Sequence, residues 1–305
     1  MPPKKRLRSL QEPQSEESEQ DSSGSDQSDA EQEIHVDFEA FSISEDDFHG
    51  IRCLLKQSFA GSSVDVSALT DLIIKQADHI GSSIKVCDDD NADSAGGSPS
   101  ASGGDDECVF GVTTLVHLNY HKASDCVKQI KELLLTQCKS HADSMLLRLS
   151  QILTESVGLV INERLLNIPA EIASPMLNSL LIELKESSQK HPQQFACKYC
   201  IVITRSNIQP TVTPRKRHFK KRKDKKQASV ESGNSTPTFD YVECEVLQEE
   251  CLLSFSYPVR EDSEATGVKQ KHGSSSIEHC RTVLVFEASK FRKAVSNLEE
   301  ECTKQ

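Results

Sequence analysis

The fold class is decided by one run in the middle of the chain, 157-VGLVINERLLNIPAEIASPM-176. Residues 157–162 form an apolar run that has the length of a strand. From Ile168 to Leu184 the apolar residues then recur at spacings of one, three and four, which predicts an amphipathic helix. A strand followed at once by such a helix is typical of the α/β class.

The same two patterns extend in both directions from this run. Residues 84–86 and 109–118 are predicted to pair as a hairpin with an expanded tip. Strands alternating with helices, and a late group of neighbouring strands, predict an α/β fold with a mixed sheet of about seven strands flanked by helices. The predicted strands are 34–41, 84–86, 109–118, 157–162, 195–205, 239–247, 252–259 and 282–286, and the predicted helices are 44–59, 66–77, 126–138, 145–153, 168–184 and one from Ser289 onward.

Charge is distributed very unevenly along the chain. The formal net charge is −12, yet residues 11–50 contain 14 acidic residues and no Lys or Arg, residues 88–107 carry −7 and residues 209–238 carry +7. Where these segments lack apolar periodicity, they cannot bury enough apolar surface to fold. We therefore predict a disordered acidic tail with a short basic start over 1–32, and a single α/β domain over 33–305 with disordered insertions at 88–107 and 209–238.

Several classes of protein are excluded by what the sequence lacks. No run approaches the roughly 20 apolar residues of a membrane-spanning helix, and the N-terminal residues have no apolar core of a secretory signal. We expect no membrane association, and 11 free thiols in a reducing compartment. None of the 13 glycines forms Gly-x-Gly, and neither Gly-x-Ser-x-Gly nor His-Glu-x-x-His occurs. No catalytic residue and no cofactor site is predicted.

The pair Cys197-Lys-Tyr-Cys200 has the spacing of half a zinc site. A second pair at a zinc spacing is missing, because Cys244 and Cys251 are seven positions apart. The apolar flanks place the motif in a strand, where the two thiols would point to opposite faces. We therefore favour buried structural thiols over zinc or redox chemistry, and expect no metal site.

Two basic clusters are candidates for nuclear import. Residues 215–226 contain nine cations in twelve positions, and a polyanion-binding loop or a merely solvated loop are the alternatives. Phe219 is the one aromatic residue there, so sequence-specific binding of nucleic acid is not expected. The import candidates are Lys4, Lys5, Arg6, Arg215, Lys216, Arg217, Lys220, Lys221, Arg222 and Lys223.

Four positions are candidates for phosphorylation. Ser18, Ser23 and Ser28 each have an acidic residue three positions further on, the pattern of acid-directed kinases. Thr213 precedes Pro-Arg-Lys, the pattern of Pro-directed cell-cycle kinases. Phosphate would deepen the negative charge of the tail and reduce the positive charge of the basic segment.

The run 157–176 resembles the BCCIP family, proteins that bind the breast cancer type 2 susceptibility protein and a Cip/Kip-type inhibitor of cyclin-dependent kinases. The motifs 36-VDFEAF-41, 69-LTDLII-74, 79-HIGSSI-84 and 109-VFGV-112 match this family in the same order. The similarity covers about residues 33–305.

The resemblance implies one domain shaped like a GNAT-type acetyltransferase that acts as a non-catalytic adaptor. The coenzyme A motif of that fold, Arg/Gln-x-x-Gly-x-Gly/Ala, is missing here, so acetyl transfer is not expected. The implied partners are the repair tumour suppressor, the Cip/Kip inhibitor, and centrosomal or microtubule proteins. The implied roles are cell-cycle control, DNA repair and microtubule organisation at the centrosome and spindle pole.

Fungal relatives imply an alternative role as a nuclear chaperone or export adaptor for a basic ribosomal protein. The locations implied are the nucleus, and also the cytoplasm, cytoskeleton, centrosome and spindle pole.

Overall fold

The structure is a computed structural model that describes residues 37–86, 108–208, 237–259 and 278–302. These residues form a mixed sheet between two layers of helices. The strands are β1 (Phe38–Ser42), β2 (Ser82–Val86), β3 (Gly111–His117), β4 (Val157–Arg164), β5 (Tyr199–Ile208), β6 (Thr238–Phe239), β7 (Leu253–Pro258) and β8 (Glu278–Glu287). The helices are α1 (Phe48–Ser58), α2 (Val66–Lys75), α3 (Asp125–His141), α4 (Asp143–Thr154), α5 (Ala173–Lys190), α6 (Pro192–Phe195), α7 (Glu243–Glu249) and α8 (Ala288–Cys302).

The sheet has the strand order β1-β2-β3-β4-β5-β8-β7, and the two-residue β6 pairs with β5 beside this path. The predicted hairpin of β2 and β3 is confirmed by an antiparallel register that joins Ser82 to Thr113 and Ile84 to Gly111. The pair β4 and β5 is parallel, whereas the other described strand pairs are antiparallel. The predicted α/β class and mixed sheet are thus confirmed.

The two faces of the sheet carry separate hydrophobic cores because side chains alternate along each strand. Helices α1 to α4 cover one face, where Leu159, Ile161 and Ile201 meet helix residues such as Ile130. Helices α5 to α8 cover the other face, where the alternate residues of the same strands meet Phe291 and its neighbours. Strands β4 and β5 are buried from both sides, which explains why their sequences are nearly continuous apolar runs.

A buried carboxylate fixes the start of α1 to the sheet. Asp47 is fully buried and accepts a hydrogen bond from the backbone N–H of Ser44 at 3.1 Å, one half of a capping box between the two residues. Its carboxylate also contacts the Lys85 ammonium at 2.8 Å and accepts from the Ser83 hydroxyl at 2.9 Å. The residue that immediately precedes α1 therefore joins the start of this helix to β2.

The strand predicted over 239–247 is wrong. Residues 238–239 form β6, and the chain then turns into helix α7 at Glu243. The alternation of Phe239, Tyr241 and Glu243 resembles a strand, but Cys244 and Leu247 are buried at helical spacing. The predicted strand at 195 also begins later, at Tyr199, because Pro192–Phe195 form a helical turn.

Candidate functional site

Strands β4 and β5 separate partway along their length. Their parallel register runs from Val157 opposite Tyr199 to Val160 opposite Val202, although β4 continues to Arg164 and β5 to Ile208. In α/β sheets, the crevice at the carboxyl ends of parallel strands is the usual place for a ligand. The gap between the ends of β4 and β5 is therefore the candidate ligand-binding site of this fold.

This gap is filled by the chain itself. Strand β8 pairs with one edge of β5 from residue 199 to residue 208, so β6 pairs with the edge that faces β4, at Ser206 and Asn207. The backbone N–H of Asp240 then donates to the Arg205 carbonyl at 3.2 Å. The next residue, Tyr241, is 1% exposed. Residues 238–241 are thus wedged between the two strands.

Five polar residues meet around this gap, and we call them the wedge cluster: Glu163, Arg164, Arg205, Tyr241 and Glu243. The Tyr241 hydroxyl accepts from the backbone N–H of Arg164 at 3.1 Å and from the Arg205 guanidinium, and it donates to the Arg164 carbonyl. Two guanidinium groups lie close to its ring, with the Cζ atoms of Arg164 and Arg205 at 4.5 and 4.8 Å from its centroid. The phenol therefore replaces a strand partner at the end of β4.

The Arg164 side chain forms a two-pronged ion pair with Glu243 at the start of α7. Nη2 donates to Oε2 at 3.0 Å and Nη1 donates to Oε1. The Asn162 amide donates to the same carboxylate at 3.2 Å. Arg164 is 5% exposed and Glu243 4%. Burial lowers the pKa of Arg164, but the hydrogen bond and charge of Glu243 outweigh it, so the pKa lies above its ordinary value.

Glu163 points to the opposite face of β4 and is also buried. Its Oε2 lies 3.2 Å from the Tyr241 hydroxyl and 4.0 Å from Arg205 Nε. Burial raises the pKa of this carboxyl, and the charges of Arg205 and Arg281 only partly oppose it. Burial also raises the pKa of Tyr241 above its ordinary value. The cluster thus keeps the phenol in its neutral, hydrogen-bonding form.

The wedge cluster leaves little for a ligand to bind. Both backbone polar groups of Arg164 that face the gap are already bonded, the N–H to Tyr241 and the carbonyl to Tyr241 and to Arg205 at 3.0 Å. A diphosphate needs several convergent backbone N–H groups and a close approach of the backbone. At the end of β4 the Tyr241 hydroxyl occupies the Arg164 backbone N–H that such a ligand would use.

The thiols of Cys197 and Cys200 lie on the same face of the sheet, so the predicted opposite orientation is wrong. Both pack in the core beneath α5 and α8. The two-residue alternation does not apply because β5 begins only at Tyr199. Burial raises the pKa of Cys200 to about 12 and that of Cys197 further. No group of three or more metal-ligating residues occurs within the described ranges.

A second feature of the same segment is open to solvent. A cavity of about 400 Å³ lies between β6 and α7, and we call it the β6–α7 groove. Val242, the residue that precedes α7, is 59% exposed. The groove is lined by Pro237, Thr238, Phe239, Glu245, Gln248 and Glu249.

The site candidates from the sequence lie outside the described residues. This holds for the import candidates Lys4, Lys5 and Arg6, for those between Arg215 and Lys223, and for the phosphorylation candidates Ser18, Ser23, Ser28 and Thr213. The predicted tail and insertions also fall there, apart from Pro237 and Thr238. The wedge cluster was not predicted, and its one sequence signal is the pair of charges that ends the apolar run of β4.

Comparison with known proteins shows the family to which this chain belongs. A sequence model of the BCCIP family matches residues 33–248. The chain is 32% identical over 281 residues to a Xenopus laevis protein named Protein BCCIP homolog, across 88% of this chain and 82% of that one. The human protein named BRCA2 and CDKN1A-interacting protein is 31% identical over 277 residues, with coverage of 88% and 82%. The chain belongs to the BCCIP family.

Fungal proteins are also similar to this chain, at lower sequence identity. Protein bcp1 of Aspergillus oryzae is 28% identical over 285 residues, which span 90% of each chain. The crystal structure of BCP1 from Saccharomyces cerevisiae aligns with a TM-score of 0.52 at 19% identity, and covers 89% of this chain and 91% of that one. This similarity supports the mixed α/β fold. No helix in the described part of the chain is long and apolar enough to cross a membrane.

Proposed function

We propose that this protein is a non-catalytic nuclear adaptor that binds other proteins. Its partners are a recombinational-repair tumour suppressor and a Cip/Kip-type inhibitor of cyclin-dependent kinases, the two proteins given in the name of its mammalian relatives. Through them it acts in cell-cycle control, DNA repair and microtubule organisation at the centrosome and spindle pole. The basic clusters direct it to the nucleus, from a pool in the cytoplasm and cytoskeleton.

The filled gap between β4 and β5 is the observation that carries the non-catalytic part of this proposal. An acyltransferase that holds its donor at this place would need the Arg164 backbone groups, which Tyr241 and Arg205 occupy. Opening the gap means breaking those bonds and exposing Tyr241. GNAT-like acyl transfer is therefore the less favoured alternative, and the likeness to that fold remains a prediction.

A second candidate function is a nuclear chaperone or export adaptor for a basic ribosomal protein. It is favoured by similarity to fungal bcp1 over 90% of the chain and by the eight acidic residues of the tail between Glu12 and Glu31. A tail of this charge attracts and screens a basic client over several ångströms in physiological salt.

Coenzyme A titration by calorimetry tests the non-catalytic proposal. We expect no saturable heat with the full chain at micromolar concentration. Saturable micromolar binding to the full chain would overturn it. Stronger binding by Tyr241→Phe, which removes the hydroxyl that occupies Arg164, would then place the ligand in the gap. Far-ultraviolet circular dichroism of the variant controls for loss of fold.

Pull-down from nuclear extract separates the two binding functions. The full chain is compared with a version that lacks residues 1–32, and bound proteins are quantified by mass spectrometry. Retention of the repair protein and the Cip/Kip inhibitor by both versions supports the adaptor function of the folded domain. Selective loss of basic ribosomal proteins from the shortened version supports the chaperone. Capture of neither class by the full chain contradicts both functions.

A further inference from the structure

The β6–α7 groove combines an apolar floor with unpaired acidic groups. Pro237 and Phe239 form its apolar lining, which we call the floor, and Phe239 is 6% exposed. Glu245 and Glu249 line its side, and neither has an ion-pair partner among the described residues. By contrast Glu250, next to the groove, is bonded to two lysines of α8.

The exposed face of α7 continues this surface. Val242, Glu245 and Glu249 are spaced three and four residues apart, so their side chains share one face of the helix. This face has an exposed apolar side chain at one end and two carboxylates beyond it. A matching occupant has an apolar side chain close to several cations.

One segment of the chain itself has this composition. Residues 209–236 contain nine cations between Arg215 and Lys226 and one aromatic residue, Phe219, among them. The aromatic residue is preceded by 215-RKRH-218 and followed by 220-KKRK-223. Its apolar ring and neighbouring charges are complementary to the floor and the carboxylates of the groove.

The ends of this segment place it at the groove. It follows Ile208, the last residue of β5, and precedes Pro237, which lines the groove. Asn207 and Thr238 are opposite each other in the β5–β6 ladder, so both ends lie at the same point of the fold. The 17 residues between Phe219 and Pro237 span about 23 Å on average if they behave as a flexible linker. At this length the local concentration of the cations at the groove is in the millimolar range.

We propose that the β6–α7 groove is the docking site of the chain's own basic segment, with Phe219 on the apolar floor and the flanking cations at Glu245 and Glu249. Docking withdraws the cluster that the sequence marks as an import candidate, and a polyanionic partner must compete for it. This inference does not depend on the adaptor function.

The absence of Trp from the chain allows a direct test. In Phe219→Trp, the single indole reports whether position 219 is shielded, by its emission wavelength and its quenching by acrylamide. Each exposed ion pair shifts an equilibrium about 1.4- to fivefold. Glu245→Gln with Glu249→Gln should therefore lower the ratio of docked to undocked segment by about 2- to 25-fold. We expect faster quenching and red-shifted emission, and the same change in 0.5 M salt.

A matched control removes the same charge elsewhere. Glu132 on α3 and Glu186 on α5 are exposed and lie outside the groove, and Glu132→Gln with Glu186→Gln should leave quenching unchanged. With Phe219 intact, carbodiimide should link a lysine of residues 220–226 to Glu245 or Glu249, as mapped by mass spectrometry of the monomer.

Three results would overturn the proposal. Quenching of the indole as fast as in the unfolded chain would show that the segment does not dock. Shielding that both charge variants leave unchanged would place it on another surface. Shielding that grows with protein concentration would make a second copy the occupant.

Discussion

Replacing Glu243 by Gln is the sharpest test of the wedge cluster. The change keeps the shape of the side chain but removes the charge that faces Arg164, which is 5% exposed. It weakens the two guanidinium bonds to Oε1 and Oε2 and leaves the cation buried without a counter-charge. Removal of one partner from a buried ion pair costs about 3 to 5 kcal/mol. In a domain of this size that corresponds to a fall in melting temperature of about 6 to 20 °C.

The assay is urea unfolding followed by far-ultraviolet circular dichroism, since the chain lacks Trp. Asp125→Asn is the matched control, because Asp125 pairs with Lys128 in full contact with solvent, and it should leave the midpoint unchanged. The double variant Arg164→Met with Glu243→Leu removes both charges and should recover most of the loss. If Glu243→Gln is no less stable than the Asp125 control, then the ion pair is hydrated and the wedge is not a sealed core.

Three further outcomes are expected. Gly158→Ala should lower the free energy of unfolding by about 1 to 3 kcal/mol, because the added Cβ would lie 2.6 Å from Leu115 Cδ1 and 2.9 Å from Cys197 Sγ. A second change, Cys197→Ala, should restore part of the lost stability, as measured by urea unfolding. Burial lowers the pKa of His117 below its ordinary 6.5. The unfolded chain therefore takes up the proton first as the pH falls, so the free energy of unfolding should decrease below about pH 6.5. His117→Gln should flatten this dependence in unfolding titrations between about pH 7.5 and 5. Iodoacetamide at pH 8 should modify the exposed Cys53 at least tenfold faster than Cys197, because burial raises the pKa of the Cys197 thiol. The rates are measured by mass spectrometry, and equal rates would show that the core opens.

The sequence predicts the fold where burial determines the pattern. Strand β4 and helix α5 were predicted from the apolar spacing of 157–184, because both elements present most of their apolar residues to a core. The β2–β3 hairpin was predicted because a polar insertion separates two strands that remain paired. In these regions local periodicity and tertiary packing favour the same structure.

The candidate site depends instead on partners that are far apart in sequence. Arg164 contacts Tyr241 and Glu243 across 77 and 79 residues. A charged residue at the end of an apolar run is also what an ordinary exit from a strand looks like, so nothing local marks Arg164 as buried. The strand predicted over 239–247 was wrong for the same reason, since Tyr241 meets β4 through its hydroxyl and not through a backbone ladder.

The wedge cluster and the β6–α7 groove belong to one short segment, and this couples them. A ligand entering the gap between β4 and β5 must displace Tyr241, which is held by hydrogen bonds to Arg164 and Arg205 and by cation–π contacts with both guanidinium groups. Because Tyr241 lies between β6 and α7 in the chain, a ligand that displaced it would also act on the two elements that line the groove. We therefore expect a gap ligand and a groove occupant to compete, and by linkage each would weaken the binding of the other by the same factor.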